Sequence, residues 1–151
     1  MGFEVAAIGR GADKDDLAKK LGAHHYIDSA ASDAAKALQA LGGAALVLAT
    51  ASAGKAVAAT VKGLRPRGRV IALGATADPI DVSANDLLFG SRSIEGALTG
   101  DPATGDATLK FSALTGVAAM IETMPLERAP EAYAKMMSGK ARFRMVLTMG
   151  A

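Results

Sequence analysis

Residues 3 to 29, FEVAAIGRGADKDDLAKKLGAHHYIDS, constrain the fold of this chain more than any other stretch. An apolar segment, Phe3 to Ile8, leads through the turn Gly9 to Gly11 into an amphipathic segment, Asp13 to Leu21, and a second short strand, His25 to Asp28. This order predicts one β-turn-α-β unit. Because the first strand is short and apolar, we expect it inside a parallel sheet covered on both faces. The turn at its carboxyl end lies where such sheets bind ligands.

The same alternation of strand and helix continues along the chain. Further buried strands are predicted at Ala44 to Ala49, Val70 to Leu73 and Ser93 to Leu98. The helices between them are predicted to begin at Ser29 or Ser32, at Ser52 and at Ser83. An alternating order of this kind is typical of an α/β fold, a doubly wound, Rossmann-like parallel sheet with right-handed crossovers.

Beyond Thr99 the pattern changes. A glycine-rich loop, Gly100 to Gly105, is expected to lead into a helix, and an extended piece, Ala119 to Met124, is followed by a helix from Glu127 to Ser138 and a final strand at 143–149. The spacing of apolar residues predicts two buried helix faces. Their members are Leu109, Ala113 and Phe111 or Leu114 in the first helix, and Ala129, Ala132, Tyr133 and Met136 in the second.

Several of these segments carry a family resemblance. The run LAKKLGA followed by HHYIDS, then ALVLAT at 45–50, GRVIALG at 68–74, RSIEGA at 92–97 and the tail PLERAPEAYAKMMSGKARFRMVLT stand in this order. The chain closely resembles the carboxyl-terminal cofactor domain of zinc-dependent alcohol dehydrogenases, in the medium-chain dehydrogenase/reductase superfamily. The resemblance implies hydride transfer between a nicotinamide cofactor and an alcohol or aldehyde in a complete enzyme.

The resemblance also implies that part of the family pattern is absent here. The chain contains no G-x-G-x-x-G turn and no cysteine, although cysteine and histidine are the usual ligands of the family's catalytic zinc. Residues 1–99 are therefore expected to form a truncated dinucleotide-binding domain without its first strand and glycine-rich turn. Residues 100–151 are expected to complete the cofactor domain and return toward an absent catalytic domain, which would hold the zinc.

A missing first strand has a structural consequence. In the strand order 3-2-1-4-5-6 the missing strand would lie between the strand at Phe3 to Ile8 and the strand at Ala45 to Thr50. We expect these two strands either to pair directly or to remain apart with exposed edges. Without the glycine-rich turn, cofactor affinity is expected to be weak and the chain alone inactive.

The turn after the first strand bears on the choice of cofactor. Domains that prefer NAD place a carboxylate at this position to accept from the ribose 2′-hydroxyl, whereas NADP domains place a cation there. This chain has Gly9 and then Arg10, with Lys14 one turn later. Arg10 could pair with the 2′-phosphate in a fork, which favours NADP over NAD. Alternatively, Arg10 is a solvated loop arginine without a specific partner.

Small residues at the ends of the other strands complete the candidate site. Thr50, Gly74 and the segment Ala97 to Thr99 end successive strands at the same edge as Gly9. By resemblance, the nicotinamide side is lined by Leu73, Gly74, Ala75, Ala97, Leu98 and Thr99. Arg144 matches an arginine near the pyrophosphate. Alternatively, glycine and alanine at these positions only form tight turns.

Composition argues against several other functions. The basic residues are scattered among fifteen acids and aromatic residues make up 4% of the chain, which argues against nucleic-acid binding. No apolar run reaches the ~18 residues of a membrane helix, and no signal peptide precedes the first strand, so we expect a cytoplasmic protein without a membrane partner. His24 and His25 point to opposite faces of a strand, which argues against a metal site.

Two functional interpretations remain open from the sequence. The chain is either the cofactor-binding part of an alcohol dehydrogenase, or a non-catalytic nucleotide-binding or interaction module with a Rossmann-like fold. In the resembled family the last strand of the sheet meets its twin across a two-fold axis. The strand at 93–98 is short and apolar, so a homodimer or higher oligomer is expected through it.

Overall fold

A computed structural model describes residues 2–98 and 100–150 of the chain. The chain divides into two compact units, Met1–Thr99 and Gly100–Ala151. Its strands are β1 (Ala6–Gly9), β2 (His25–Asp28), β3 (Ala44–Ala49), β4 (Leu64–Ala72), β5 (Ser93–Gly96), β6 (Ile121–Pro125) and β7 (Arg144–Thr148). Its α-helices are α1 (Asp15–Lys20), α2 (Ala34–Ala40), α3 (Gly54–Val61), α4 (Ala84–Leu88), α5 (Pro102–Thr115) and α6 (Ala129–Met137). Short 3-10 turns, Ala12–Lys14 and Leu126–Arg128, precede α1 and α6.

The strands of the first unit form two parallel sheets. One sheet pairs β1 with β2, and the other has the order β3-β4-β5. In the first sheet Gly9 lies opposite Asp28, and in the second Ala49 lies opposite Ala72, which in turn lies opposite Gly96. The α/β class and the parallel pairing predicted from the alternating pattern are confirmed.

A gap separates the two sheets. Within residues 2–98, no hydrogen bond joins β1 to β3, so each strand has one unpaired edge. Of the two expected arrangements, direct pairing is therefore wrong, and the strands remain apart. The expectation that β1 is covered on both faces is also wrong, because Ile8 in β1 and Val5 just before it are exposed. On β3, Leu46 is 46% and Leu48 60% exposed, which is high for leucines in a strand of a parallel sheet.

Two hydrophobic clusters hold the first unit together. One consists of Ala49, Val57, Val61, Leu64 and Val70, contributed by β3, α3 and β4. The other consists of Ile27, Ala34 and Leu38, contributed by β2 and α2. Ala44 and Val47 of β3 pack against both clusters, and Ala6 of β1 packs against the second. The packing of α2 therefore connects the two sheets, although no strand pairing does.

The helix starts differ from the predicted ones in part. Asp33, and neither Ser29 nor Ser32, caps α2, because its Oδ1 accepts from the Lys36 N–H at 3.1 Å. Ser83 caps α4 as predicted. Helix α3 begins at Gly54 instead of Ser52. A Cβ on Gly54 would lie 2.0 Å from the Pro79 carbonyl oxygen, so this helix start depends on a glycine.

The strand predicted at Val70 to Leu73 begins earlier than expected, and residues 65–68, whose Arg-Pro-Arg-Gly composition is typical of a turn, lie inside it. Strand β4 runs from Leu64 to Ala72, and its register against β3 shifts between Ala44 and Leu46. Arg67 has a positive φ of 59°, which is uncommon outside glycine. The arginine, proline and glycine of this segment therefore form an irregularity within the strand and do not end it.

The second unit pairs β6 with β7 in parallel and packs α6 beside them. Helix α5 begins within the predicted loop, because Pro102 opens it and Asp101 Oδ1 caps it through the Thr104 N–H at 2.7 Å. The predicted buried face of α5 is wrong: within the described part of this unit, α5 buries no residue. In α6, Ala132 is buried as predicted, but Tyr133 and Met136 are exposed. Apolar periodicity indicates a helix face suited to burial, but no other described element of this unit buries Tyr133 and Met136.

Candidate functional site

The ends of β3, β4 and β5 bring together five of the predicted site residues, Thr50, Leu73, Gly74, Ala75 and Ala97. The N–H groups of Leu73 and Gly74 both donate to the Ala49 carbonyl, at 2.9 and 3.0 Å, and the Ala97 N–H donates to the Ala72 carbonyl at 3.1 Å. Thr50 directly follows Ala49 and is exposed. Because parallel strands end at the same edge, these residues border one side of the sheet.

Gly74 allows an unusually close approach at this edge. A Cβ at this position would lie 2.4 Å from the Ala51 carbonyl oxygen and 2.7 Å from that of Thr50. Both atoms belong to the backbone, so they could not move aside as a side-chain end would. Close backbone packing alone therefore requires a glycine at position 74. The same geometry leaves backbone without side chains at the strand ends, next to the exposed Leu73 and Ala75.

The turn after β1 is held by the residues that end β2. Ser29 donates to the Gly9 carbonyl from both its N–H and its hydroxyl, at 2.8 and 2.9 Å. Asp28 Oδ1 accepts from the N–H of Gly11 at 2.8 Å, and the Tyr26 hydroxyl donates to the Gly11 carbonyl at 2.7 Å. The turn from Gly9 to Gly11 is thus fixed at both ends.

Asp28 is the charged member of this arrangement. Its Oδ1 also accepts from the Ala30 N–H at 2.9 Å. The N–H groups of Ala30 and Gly11 stabilise the carboxylate and hold the pKa of Asp28 below its ordinary value, with a smaller contribution from the Lys14 charge. Asp28 therefore stays ionised and engaged with the backbone, which leaves Oδ1 little capacity for a ligand.

The two predicted cations lie on the turn itself. Lys14 Nζ donates to the Arg10 carbonyl at 2.5 Å and lies 3.4 Å from Asp13 Oδ1. The Lys14 side chain thus folds back onto the turn. The Arg10 side chain is exposed, and among residues 2–98 no carboxylate lies within ion-pair distance of it. Arg10 therefore has an unengaged guanidinium on a fixed backbone.

Sequence reasoning identified Gly9, Arg10 and Lys14 but missed Tyr26, Asp28 and Ser29. The signal that could have found them is the parallel register, since β2 follows one helix after β1 and its end must lie beside the turn. Asp28 lies opposite Gly9 at the end of β2, with Ser29 directly after it and Tyr26 two residues before it. Residues with hydrogen-bonding side chains at that level are candidates to hold the turn.

The remaining predicted residues lie elsewhere. Leu98 follows β5 and is almost fully exposed, while Thr99 lies outside the described residues. Arg144 begins β7 in the second unit and is exposed. Its proposed place near the pyrophosphate stays a prediction, as do the nicotinamide roles of Ala97 to Thr99.

The described residues offer no cluster of metal ligands. Across residues 2–98 and 100–150, no three histidine, aspartate or glutamate side chains are grouped so that they could hold an ion. The adjacent histidines have separate partners: His24 Nδ1 accepts from the Val5 N–H at 3.1 Å, and His25 Nε2 lies 2.7 Å from Glu4 Oε1. In the same ranges, no helix is long and apolar enough to cross a membrane.

Comparisons with known proteins match nearly the whole chain. Residues 1–114 match the zinc-binding dehydrogenase family. Alcohol dehydrogenase notN from Aspergillus sp. is 40% identical over 149 residues, covering 99% of this chain and 44% of the relative. Aldehyde reductase AdhA from Synechocystis sp. is 30% identical over 147 residues, covering 97% of this chain and 43% of the relative. The chain thus spans less than half the length of these relatives.

Solved structures agree on the fold. The alcohol dehydrogenase zinc-binding domain protein from Burkholderia ambifaria superposes with a TM-score of 0.87 at 25% identity, over 98% of this chain and 42% of that protein. An NAD-dependent alcohol dehydrogenase superposes with a TM-score of 0.84 at 22% identity, which supports the Rossmann-like fold alone. The chain therefore belongs to the zinc-binding dehydrogenase family and corresponds to the carboxyl-terminal, cofactor-binding part of zinc-dependent medium-chain alcohol dehydrogenases.

Proposed function

We propose that this chain binds the nicotinamide cofactor of an alcohol dehydrogenase that passes hydride between the cofactor and a small alcohol or aldehyde, and that it prefers NADP to NAD. The observation that carries the cofactor preference is the turn after β1. It presents a glycine where an NAD domain presents a carboxylate, and the exposed Arg10 follows on a backbone fixed by β2.

The charge balance at this turn supports the preference. A 2′-phosphate carries about two negative charges near neutral pH, so it is favoured by a free cation and disfavoured by a free carboxylate. Arg10 supplies the cation. The nearest carboxylate on β2, Asp28, already accepts two backbone N–H groups. The turn thus offers an exposed guanidinium to a phosphate, whereas Oδ1 of the nearest β2 carboxylate is already occupied by backbone N–H groups.

The strand ends supply the rest of the proposed binding surface. We propose that the flat nicotinamide ring lies against the backbone and side chains of Thr50, Leu73, Gly74 and Ala75. We assign Ala97, Leu98 and Thr99 to the same side. Arg144 is proposed to approach the pyrophosphate. The bound cofactor supplies the hydride chemistry, while these residues bind and orient it. Residues 1–99 would then be the truncated dinucleotide-binding domain, and residues 100–151 would complete it.

Zinc is proposed to lie in another part of the enzyme. The chain has no cysteine, and its described residues form no group of three ligands. A catalytic zinc site needs three protein ligands and one open position. We therefore assign the zinc and the alcohol to a catalytic domain beyond these 151 residues, in a cytoplasmic enzyme. The 151 residues of this chain bind the cofactor.

Replacing Arg10 by alanine tests the cofactor preference. In the complete dehydrogenase we expect Arg10→Ala to weaken NADP binding by about 1 to 3 kcal/mol, roughly 5- to 150-fold, because a charge-assisted hydrogen bond to the phosphate is lost. NAD affinity should stay unchanged. Isothermal titration calorimetry with both cofactors measures the two effects. Arg65→Ala is the matched control, since this exposed arginine lies at the opposite end of the sheet.

Two results in this titration would contradict the proposal. Equal losses for NADP and NAD in Arg10→Ala would mean that the arginine acts on a part common to both. An unchanged NADP affinity would mean that Arg10 is only a solvated loop residue.

Self-association through β5 is a separate proposal. Strand β5 is at the edge of its sheet. The Ala97 N–H points toward β4, and N–H directions alternate along a strand, so the N–H groups of Ile94 and Gly96 point toward the open edge. A Cβ on Gly96 would meet nothing within 4 Å. We expect the complete enzyme to be at least a dimer at micromolar concentration by light scattering. Gly96→Pro, which removes an outward donor, should shift it toward monomer, whereas Gly96→Ala should not. A monomeric active enzyme would contradict this proposal.

A further inference from the structure

The Tyr26 hydroxyl occupies the space that a side chain at position 9 would need. A Cβ on Gly9 would lie 2.4 Å from the Tyr26 hydroxyl oxygen and 3.1 Å from the ring carbon that bears it. Contacts shorter than 3.0 Å require one of the two groups to move. The phenol is half-buried, and its hydroxyl donates to the Gly11 carbonyl at 2.7 Å. Any side chain at position 9 would therefore displace the phenol and break this hydrogen bond.

The hydrogen bond to Gly11 matters because Gly11 closes the turn that carries Arg10. Gly11 has a positive φ of 89°, a conformation that glycine adopts readily and other residues do not. Its carbonyl is held by Tyr26 and its N–H by Asp28 Oδ1, both from β2. Arg10 lies between Gly11, which makes these two hydrogen bonds, and Gly9, whose carbonyl accepts from Ser29. Residues at the end of β2 thus determine the backbone direction of Arg10.

We infer that Tyr26 is a positioning residue that determines the cofactor preference of the site, an inference that rests on the proposed function. Its hydroxyl occupies the space of a side chain at position 9 and so excludes a carboxylate there. The same hydroxyl holds the Gly11 carbonyl, which orients Arg10 toward a 2′-phosphate. One side chain thereby disfavours NAD recognition and favours NADP recognition.

This arrangement predicts that positions 9 and 26 are coupled. Gly9→Ala should weaken 2′-phosphate binding in the presence of Tyr26, because the added methyl displaces the phenol from Gly11. In a Tyr26→Ala background the same substitution should have little further effect, since the space is already free. A double-mutant cycle measures the difference between the two backgrounds. Tyr26→Phe removes only the hydroxyl and preserves the ring.

The test uses adenosine 2′,5′-bisphosphate and adenosine 5′-monophosphate as probes, titrated into the isotope-labelled 151-residue chain and followed by NMR. Chemical-shift titration detects even millimolar dissociation constants. We expect the wild-type chain to prefer the bisphosphate. Tyr26→Phe should weaken bisphosphate binding roughly 3- to 10-fold, the range expected for one hydrogen bond, without changing monophosphate binding. Tyr133→Phe, in the exposed tyrosine of the second unit, should change neither.

The outcomes separate this inference from the proposed function. If the wild-type chain does not distinguish the two probes, the NADP preference itself fails, and this inference fails with it. A different pattern would overturn only the role of Tyr26. In that pattern the wild-type chain prefers the bisphosphate and the preference depends on Arg10, but Tyr26→Phe preserves it, and Gly9→Ala and Tyr26→Ala act additively. The proposed function would then stand. Folding of each variant is checked by the amide spectrum of β1 and β2.

Discussion

The 151-residue chain alone is expected to bind NADP weakly and to transfer no hydride to or from an alcohol or aldehyde. The sequence contains no G-x-G-x-x-G turn, so no helix start of that type holds the pyrophosphate. Its described residues also offer no site for a metal ion that could polarise a substrate oxygen. Affinity in the millimolar range and no detectable turnover are therefore expected.

The matched comparison is a chain extended by the strand and glycine-rich turn of a relative. The absorbance of the reduced nicotinamide reports turnover, and titration reports binding. The extended chain should bind NADP more tightly and should still lack turnover until a catalytic domain with its zinc is added. Turnover by the 151 residues alone would contradict this account.

The amides of β1 and β3 that face the gap are expected to exchange hydrogen much faster than the amides of the same strands that face a paired strand. The carbonyls of Val5 and Gly9 accept from β2, so the N–H groups of Ala6 and Ile8 point the other way, toward the gap. On β3, the carbonyl of Ala49 accepts from residues that follow β4. Leu46 and Leu48 therefore point their N–H groups away from β4.

These four gap-facing amides should exchange almost as fast as in an unfolded chain, because they have no partner in either sheet. Ala7 and Val47 face β2 and β4 and serve as internal controls, one residue away in the same strands. We expect them to exchange roughly 100-fold more slowly, as for a local opening free energy of about 3 kcal/mol. In the complete enzyme the gap-facing amides should become protected as well, because we propose that a further strand lies there.

The contradicting result is strong protection of Ala6, Ile8, Leu46 and Leu48 in the isolated chain. It would mean that the gap closes in solution or that a second copy pairs with the open edges. Concentration dependence distinguishes the two, since pairing between copies weakens on dilution. Unpaired edges of this kind are a known route to association, so the measurement should be made at low concentration.

The order of strands and helices could be predicted from the sequence because burial dominates it. The apolar faces of α2 and α3 follow the helical period, and Ala34, Leu38, Val57 and Val61 on them are buried. The predicted burial was wrong where no described element of the same unit packs on the apolar face of a helix. Leu109 in α5 and Tyr133 in α6 fit an apolar face that nothing within their unit covers.

The geometry of the candidate site was less accessible from sequence. Arg10 could be identified from its place after the first strand, but the residues that fix its backbone come from β2, about 16 to 19 positions later. Their role depends on which side-chain oxygen reaches which N–H, and this follows from the register and the rotamers. The close approach of the Tyr26 hydroxyl to the position of a Cβ on Gly9 likewise has no signature in the local sequence.

The most direct test of the central claim is a titration of NADP and NAD into the isotope-labelled chain, followed at every amide. We predict that NADP shifts the amide resonances at the carboxyl ends of the strands, at Gly9 to Gly11, Thr50 and Leu73 to Ala75. Amides at the opposite end, such as Gly63 and Gly68, should stay unchanged, and NAD should produce weaker shifts at Arg10. No shift at millimolar NADP, or shifts confined to the opposite end, would contradict a cofactor site at this edge.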